Sequence, residues 1–111
     1  MRDDRPGTGT AVHLFIRAKP GKRHTLLTHI ADLFDTMRAE PTFVSAAVHP
    51  VLDAEDELHV YEIWSEPRAA LEMRLKVHPA FARYQKVAAD LVVMMRPTFL
   101  AHPPLWPAPD G

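Results

Sequence analysis

The stretch from residue 58 to residue 84 constrains the fold most, because it joins an apolar strand directly to a pair of helices. Residues 58–64, L-H-V-Y-E-I-W, are rich in β-branched and aromatic side chains, which favours a buried strand. Ser65 is suited to cap the helix that follows. Glu62 and Trp64 are two residues apart on the strand, so we expect both side chains on one face of the sheet. A carboxylate and a large aromatic at this junction are the first candidates for a functional site.

The other elements follow from hydrophobic spacing and from prolines at the boundaries. The order is strand, helix, strand, strand, helix pair, strand, which predicts an α+β, ferredoxin-like β-α-β-β-α-β antiparallel sheet with helices on one face. A flexible lead-in at 1–10 and an extended, proline-rich tail at 102–111 flank the domain at 11–101. The predicted elements are strand 11–18, a helix that ends before Pro41, strand 43–49, strand 58–64, a helix at 66–77, a helix that begins at Pro79, and strand 94–101, which we expect Pro97 to interrupt early.

The face of the sheet away from the helices is expected to carry Phe15, Phe43 and Tyr61. Aromatic side chains on an open sheet face need cover, and a second copy of the sheet supplies it. The sequence therefore predicts a homodimer in which the two sheets pack together into a barrel. Leu105 and Trp106 in the tail need cover as well.

Length, charge and cysteine content exclude several classes of protein. The 111 residues suffice for one domain, and the formal charge of -1 gives no electrostatic basis for binding nucleic acid or an anionic membrane. No apolar run approaches the roughly 20 residues of a membrane span, and the N-terminus lacks the apolar segment of a signal peptide. The chain has no cysteine, which excludes disulfides and thiolate chemistry and fits a cytoplasmic protein.

Seven histidines raise the question of a metal site. His24 and His29 are five apart on a predicted helix and face different sides. His49 and His59 oppose each other if the hairpin between the second and third strands turns near residue 54. His13 lies on the first strand, at the end opposite His59 if these strands are antiparallel. A zinc-type site needs three or four converging ligands, and no third ligand converges on these pairs. We therefore predict neither a metal nor another cofactor.

Several short motifs, in their order and spacing, resemble the antibiotic biosynthesis monooxygenase family. The resemblance covers about residues 10–100, and it implies a small dimeric α+β barrel. Characterised members of that family oxidise polycyclic phenols or quinols with dioxygen and no added cofactor, cleave haem, or handle small aldehydes and signalling molecules. The motifs are R-A-K-P-G-K at 17–22, M-R-A-E-P at 37–41, Y-E-I-W at 61–64, A-L-E-M-R-L at 70–75 and H-P-A-F at 78–81.

The resemblance implies a pocket between sheet and helices with Trp64 in its wall. Many members carry a histidine on the following helix, and Arg74 stands at that place here. Asparagines of the haem-cleaving and quinone-forming members fall near Leu14 and Val60, and this chain contains no asparagine. The polar groups of the best-known catalysts are thus replaced. If Arg74 points inward, it can stabilise a phenolate or a reduced oxygen species.

Four residues in addition to Trp64 and Arg74 are candidates for roles in the pocket. Arg74 is alternatively a solvated helix residue. Glu62 in an apolar pocket is a candidate base for a phenolic proton, or else a partner in a salt bridge. His78 is a candidate base at the pocket mouth, or else a helix cap. Trp64 and Phe81 are candidates to hold an aromatic ring, with Tyr84 on the same helical stripe. Trp64 and Tyr84 are alternatively core residues.

These residues support a cofactor-independent monooxygenase that oxidises a small aromatic, phenolic or quinol substrate with dioxygen. Deprotonated substrate would pass an electron to dioxygen, while the protein supplies desolvation, orientation and a base. Two alternatives remain open. One is a non-catalytic dimer that holds a small apolar ligand or serves as an accessory protein. The other is haem binding or degradation.

Overall fold

A computed structural model describes residues 8–108 of the chain, so most of the predicted lead-in and the last three residues of the tail lie outside the described residues. The predicted order of elements is confirmed, including the pair of helices between the third and fourth strands. The elements are β1 (Gly9–Ala18), α1 (Arg23–Met37), β2 (Phe43–Pro50), β3 (Glu57–Trp64), α2 (Arg68–Val77), α3 (Pro79–Leu91) and β4 (Val92–His102).

The four strands form one antiparallel sheet in the order β2-β3-β1-β4, which is the ferredoxin-like order. All three helices cover the same face of this sheet. The molecule measures 50 × 33 × 19 Å. The shortest dimension fits one sheet and one helical layer, since packed layers are about 10 Å apart.

Two clusters of buried side chains lie between the layers, and alternate residues of β1 and β3 contribute to both. Ile16 and Leu58 belong to the first cluster with Leu26 and Ile30 of α1. Trp64 belongs to the second and is fully buried. Burial of the apolar stripe of each helix against these strands is what holds the layers together.

The hairpin between β2 and β3 has the predicted register, with His49 opposite His59. The expectation that His13 lies at the end opposite His59 is wrong, because the register of β1 and β3 sets His13 opposite Tyr61 and makes the two imidazoles diagonal neighbours on one face. At the other end of the hairpin between β2 and β3 the register shifts between Phe43 and Ser45, and Phe43 lies opposite Trp64. The two rings meet edge to face at 5.2 Å on the helix side of the sheet. The expectation that Phe43 lies on the open face is therefore wrong, because the irregularity adds a residue to β2 and reverses the alternation.

The helix after β3 begins two residues later than predicted. α2 begins at Arg68, and Pro67 occupies its N-cap position without a side-chain hydrogen bond to the helix. Ser65 does not cap it. Its hydroxyl instead donates to the carbonyl oxygen of Thr42 at 3.3 Å, and its backbone N–H donates to the same oxygen. Ser65 thus fastens the end of β3 to the segment that enters β2.

The sheet face opposite the helices, called the outer face below, carries no element of the described chain. Tyr61 is 40 % exposed there, and in the tail Leu105 and Trp106 are almost fully exposed. No helix within residues 8–108 is long and apolar enough to cross a membrane. The outer face consists of Gly9, Ala11, His13, Phe15 and Arg17 of β1, Ser45, Ala47 and His49 of β2, Glu57, His59, Tyr61 and Ile63 of β3, and Met94, Arg96, Thr98, Leu100 and His102 of β4.

Candidate functional site

A cavity of about 490 Å³ lies between the sheet and the helices. Its volume is within the range of roughly 300–1,000 Å³ that small-molecule sites occupy. Its walls are mainly apolar, and the polar groups are few. Side chains from β1, β3, β4, α1, α2 and α3 contribute, among them Leu14, Val60, Glu62, Trp64, Leu33, Phe34, Leu75, Phe81, Tyr84, Gln85, Met95, Pro97 and Phe99.

Glu62 and Trp64 form the polar end of this cavity. Both side chains point to the helix face, as their spacing on β3 predicts, and the indole Nε1–H donates to Glu62 Oε1 at 3.0 Å. Glu62 is only 7 % exposed. Burial raises the pKa of the Glu62 carboxyl above its ordinary value, and the hydrogen bond from Trp64 partly opposes that rise. Within residues 8–108 no side-chain donor binds the second oxygen, Oε2.

Tyr84 and Phe81 form the opposing wall from α3. Their rings are near-parallel, with centroids 6.3 Å apart. Burial and, to a smaller extent, the charge of Glu62 raise the pKa of Tyr84 to about 12. The Tyr84 phenol is therefore neutral at physiological pH and remains available as a hydrogen-bond donor.

Leu14 and Val60 both line the cavity and are direct cross-strand neighbours in the register of β1 and β3. The two positions at which relatives of the resembled family place asparagines thus present only hydrocarbon here. As a result, Glu62, Trp64, Tyr84 and Gln85 supply the side-chain polar groups of the cavity wall within the described residues.

Arg74 and His78 lie outside the cavity, which corrects the expectation that they contact substrate. Arg74 is held by two carboxylates: its Nε is 2.8 Å from Glu66 Oε2, its Nη2 is 3.1 Å from Glu66 Oε1, and its Nη1 is 2.7 Å from Glu40 Oε1. Hydrogen bonding from Arg74 lowers the pKa of Glu66. The guanidinium thus ties α2 to the turn before it, through Glu66, and to the segment between α1 and β2, through Glu40.

His78 caps α3, the structural alternative that the sequence allowed. Its Nδ1 accepts from the backbone N–H of Ala80 at 3.1 Å, with Pro79 at the first helical position as predicted. Its Nε2 is 3.7 Å from Glu40 Oε2. Both ring nitrogens therefore face local structural partners.

The sequence reasoning missed the contribution of β4. Met95, Pro97 and Phe99 occupy alternate positions on the helix face of this strand and line the cavity. Pro97 does not interrupt the strand, because β4 is an edge strand, where a missing N–H is tolerated. The guanidinium of Arg68 lies 3.9 Å from the centroid of the Phe99 ring and braces that wall. The alternate spacing was the signal that could have identified these residues.

Metal-binding groups do not converge in the described chain. Residues 8–108 hold no group of three or more histidine, cysteine, aspartate or glutamate side chains that could bind a metal ion. No histidine within that range lines the cavity either. A haem placed there would receive no imidazole ligand from the described residues.

The chain matches the family model described as Antibiotic biosynthesis monooxygenase over residues 10–87. The comparison with curated proteins gives no match. The fold is similar to that of solved structures, at low sequence identity. PA3566 from Pseudomonas aeruginosa has a TM-score of 0.75 at 22% identity, and the match covers 86% of this chain and 94% of that one.

Two further structures show the same likeness. SO0527 from Shewanella oneidensis has a TM-score of 0.78 at 18% identity, with 90% of this chain and 97% of that one covered. A point mutant of SnoaB, a cofactor-independent oxygenase from Streptomyces nogalater, has a TM-score of 0.77 at 13% identity, with 90% and 98% covered. The family match spans well over half of the sequence, and this chain belongs to the antibiotic biosynthesis monooxygenase family.

Proposed function

We propose that this protein is a cofactor-independent monooxygenase for a flat aromatic substrate, a phenol, quinol or anthrone, with Glu62 as its base. The observation that carries the proposal is a buried carboxyl of raised pKa at the polar end of a 490 Å³ apolar cavity. A carboxylate that is poorly solvated accepts a proton more readily than one in water, and it needs no metal to do so.

The protein groups have separate roles in this reaction. Trp64 orients the carboxyl by holding Oε1, which leaves Oε2 for the substrate proton. Phe81 and the aliphatic walls take the ring system out of water. The Tyr84 phenol donates a hydrogen bond to a substrate oxygen as negative charge develops there. Exclusion of water by the cavity protects the carbanion from simple reprotonation.

For an anthrone, a tricyclic ketone with an acidic CH2 group, the steps balance without a cofactor. Glu62 takes one proton from the CH2 group and leaves an enolate. The enolate gives one electron to dioxygen, and the resulting pair combines to form a carbon–oxygen bond. Loss of the second C–H proton breaks the O–O bond, so that one oxygen atom remains as the new carbonyl and the other leaves as water. The substrate supplies all four electrons.

Oxygen consumption with an anthrone tests the proposal. We expect the wild-type protein to consume one dioxygen per quinone formed and the Glu62→Gln variant to fall toward the uncatalysed rate. Glu55→Gln is the matched control, because Glu55 lies in the exposed turn between β2 and β3. Equal rates for the wild type and Glu62→Gln would remove Glu62 from the mechanism.

A second candidate function is non-catalytic binding of a small apolar ligand. The hydrocarbon surface at Leu14 and Val60, together with the short supply of polar groups, favours it. The same assay separates the two functions. Saturable binding of the anthrone without oxygen uptake supports the carrier, and the absence of histidine from the described cavity wall disfavours the haem alternative.

The oligomer we propose is a homodimer that packs through the outer face. Four strands about 4.8 Å apart and about eight residues long make a surface of roughly 20 by 27 Å. Protruding side chains make the accessible area larger than this flat rectangle, so the area of the face approaches the roughly 800 Å² per partner of a standard interface. Phe15, Tyr61 and Leu100 supply apolar contacts, and the exposed charge of Arg17 is compensated by Glu57 at 3.1 Å.

A further inference from the structure

Two histidines lie in contact at the centre of the outer face. His13 Nε2 and His59 Nδ1 are 2.9 Å apart, and the ring centroids are separated by 4.8 Å. The two belong to the central strands, β1 and β3. At this distance one nitrogen must donate a proton and the other must accept it, so at least one imidazole of the contact is neutral. Protonation of both rings would place two cations in direct contact.

The surroundings of this histidine pair are already cationic. His49 lies directly opposite His59 on β2. From β4, the guanidinium of Arg96 is 5.6 Å from the centroid of the Phe15 ring, and Arg17 approaches the same ring at 5.8 Å. The Phe15 ring in turn meets His59 edge to face at 5.5 Å.

Few groups on this face can compensate added positive charge. Glu57 is its one carboxylate within the described residues, and it already binds Arg17. Tyr61, which lies opposite His13 in the register, has a hydroxyl and no carboxylate. With neutral imidazoles, two arginines and one glutamate leave the outer face with one positive charge. Protonation of His13, His49 and His59 raises that to four, and His102, at the edge of the same face beyond Leu100, adds a fifth positive charge when it is protonated.

A symmetric interface brings the positive charges of two identical faces together. In an isologous dimer the same patch meets itself, so residues near the centre of the face lie close to their own copies. Sheets that pack face to face are about 10 Å apart, and an imidazole on each sheet reaches the plane between them. Cations that are tolerable on an exposed monomer surface would then face like charges in a partly desolvated interface.

We propose that the His13–His59 pair makes self-association through the outer face pH-dependent, so that the protein is dimeric at neutral pH and dissociates on acidification. The inference rests on the proposed dimer. Histidine is the side chain whose charge ordinarily changes between about pH 5 and 8, so this is the pH range in which the association must be measured. The dimer requires uncharged imidazoles, and the separated subunits take up protons. Acidification therefore raises the dissociation constant.

Sedimentation velocity at micromolar concentration, from pH 8 to pH 5.5, tests this inference, with far-UV circular dichroism at each pH to confirm the fold. If each subunit takes up one proton on dissociation, the dissociation constant rises about 100-fold per pH unit below the histidine transition. The His13→Gln, His59→Gln double variant should lose most of this slope. The His24→Gln, His29→Gln variant, altered on α1 and away from the outer face, should keep it.

The outcomes distinguish the two proposals. A dimer of equal affinity at both pH values overturns the histidine switch and leaves the dimer standing. A monomer at every pH overturns the dimer and the switch together. If the double variant fails to assemble at pH 8, an NMR titration of the wild-type imidazole protons decides. His13 and His59 must then take up protons at lower pH in the dimer than in a dilute, monomeric sample.

Discussion

Glu62 is a group whose burial costs stability and supports function. Its pKa in the folded chain is raised, so the folded state binds its proton more tightly than the unfolded state does. The contribution of Glu62 to stability is therefore most favourable at pH values below its unfolded pKa. It declines as the pH rises through the folded pKa, and above that the full cost of burying the charge is present.

Replacing Glu62 by Gln should therefore stabilise the protein at neutral pH. The amide keeps an acceptor for the Trp64 N–H and removes the buried charge, so we expect a gain of about 1–2 kcal/mol in the free energy of unfolding at pH 8. Little difference should remain at pH 4. Urea unfolding at both pH values measures this, with Glu55→Gln as the exposed control. A loss of stability at pH 8 would show that the carboxylate has a stabilising partner.

The ion pair between Arg74 and Glu66 has the opposite effect on how stability depends on pH. The hydrogen bonds of Arg74 lower the pKa of Glu66, so this pair stabilises the fold above the unfolded pKa of Glu66, and the contribution is lost as the pH falls through the folded pKa. The Glu66 side chain is 9% exposed and the Arg74 side chain 25%. Removing the cation leaves a largely buried carboxylate without its partner.

We expect Arg74→Met to lower the free energy of unfolding at pH 7 by about 2–3 kcal/mol. Arg74→Lys should lose less stability than Arg74→Met, because lysine keeps the positive charge but lacks the planar guanidinium that binds a carboxylate through two N–H groups. The differences between the three proteins should narrow as the pH falls below the unfolded pKa of Glu66 and toward its lowered folded pKa. Denaturant titrations at pH 7 and pH 3.5 check this. A folded, fully stable Arg74→Met protein that no longer oxidises substrate would return Arg74 to the site.

At the scale of elements, α3 depends on its first turn. The imidazole of His78 binds the N–H of Ala80, and Pro79 has no N–H to satisfy, so the exposed donors at the helix start are largely accounted for. His78→Ala should cost about 1 kcal/mol, and His78→Asn should restore most of it by the same capping bond. Thermal unfolding gives the difference. Oxidation rates at a temperature where all variants are folded should be unchanged, and a specific loss of rate in His78→Asn would contradict the capping role.

The boundaries of elements were predictable wherever a local signal set them. Proline after His78 set the start of α3, and the acidic turn before β3 set the hairpin register that brings His49 opposite His59. The side on which Phe43 lies was not predictable, because an irregularity in the strand leaves no reliable mark in the sequence. α2 begins later than the sequence predicted, because Ser65 binds the carbonyl oxygen of Thr42, which is distant in sequence, and does not cap the helix.

At the scale of the molecule, the sheet order and the helical layer followed from the sequence, but the cavity followed only in part. The i, i+2 spacing of Glu62 and Trp64 predicted their shared face, and the structure adds the bond between them. Arg74 and His78 could not be placed, because their partners Glu40 and Glu66 come together only when α1, α2 and the end of β3 pack. How much space remains inside depends on how the helices sit on β4, which no local pattern encodes.

The cavity should bind planar apolar molecules even where no reaction follows. Leu14→Trp adds bulk to a wall that faces the centre of the space, so we expect at least a tenfold loss of affinity for anthraquinone, the unreactive analogue of an oxidised anthrone. Equilibrium dialysis against anthraquinone measures the binding, because tryptophan fluorescence would include the indole that each variant adds. Val44→Trp, at an exposed position of β2, is the matched control. Unchanged affinity in Leu14→Trp would place the ligand elsewhere.

The central claim is that Glu62 removes a proton from a substrate enclosed beside Trp64, and an experiment without oxygen tests it most directly. Mixing the protein with anthrone under anaerobic conditions at neutral pH should produce the absorbance of the anthrone enolate with the wild type and with Glu55→Gln, but not with Glu62→Gln. Admission of air should then convert the enolate to the quinone. Enolate that forms equally well with Glu62→Gln, or that fails to form with a wild-type protein that binds anthrone, would contradict the account.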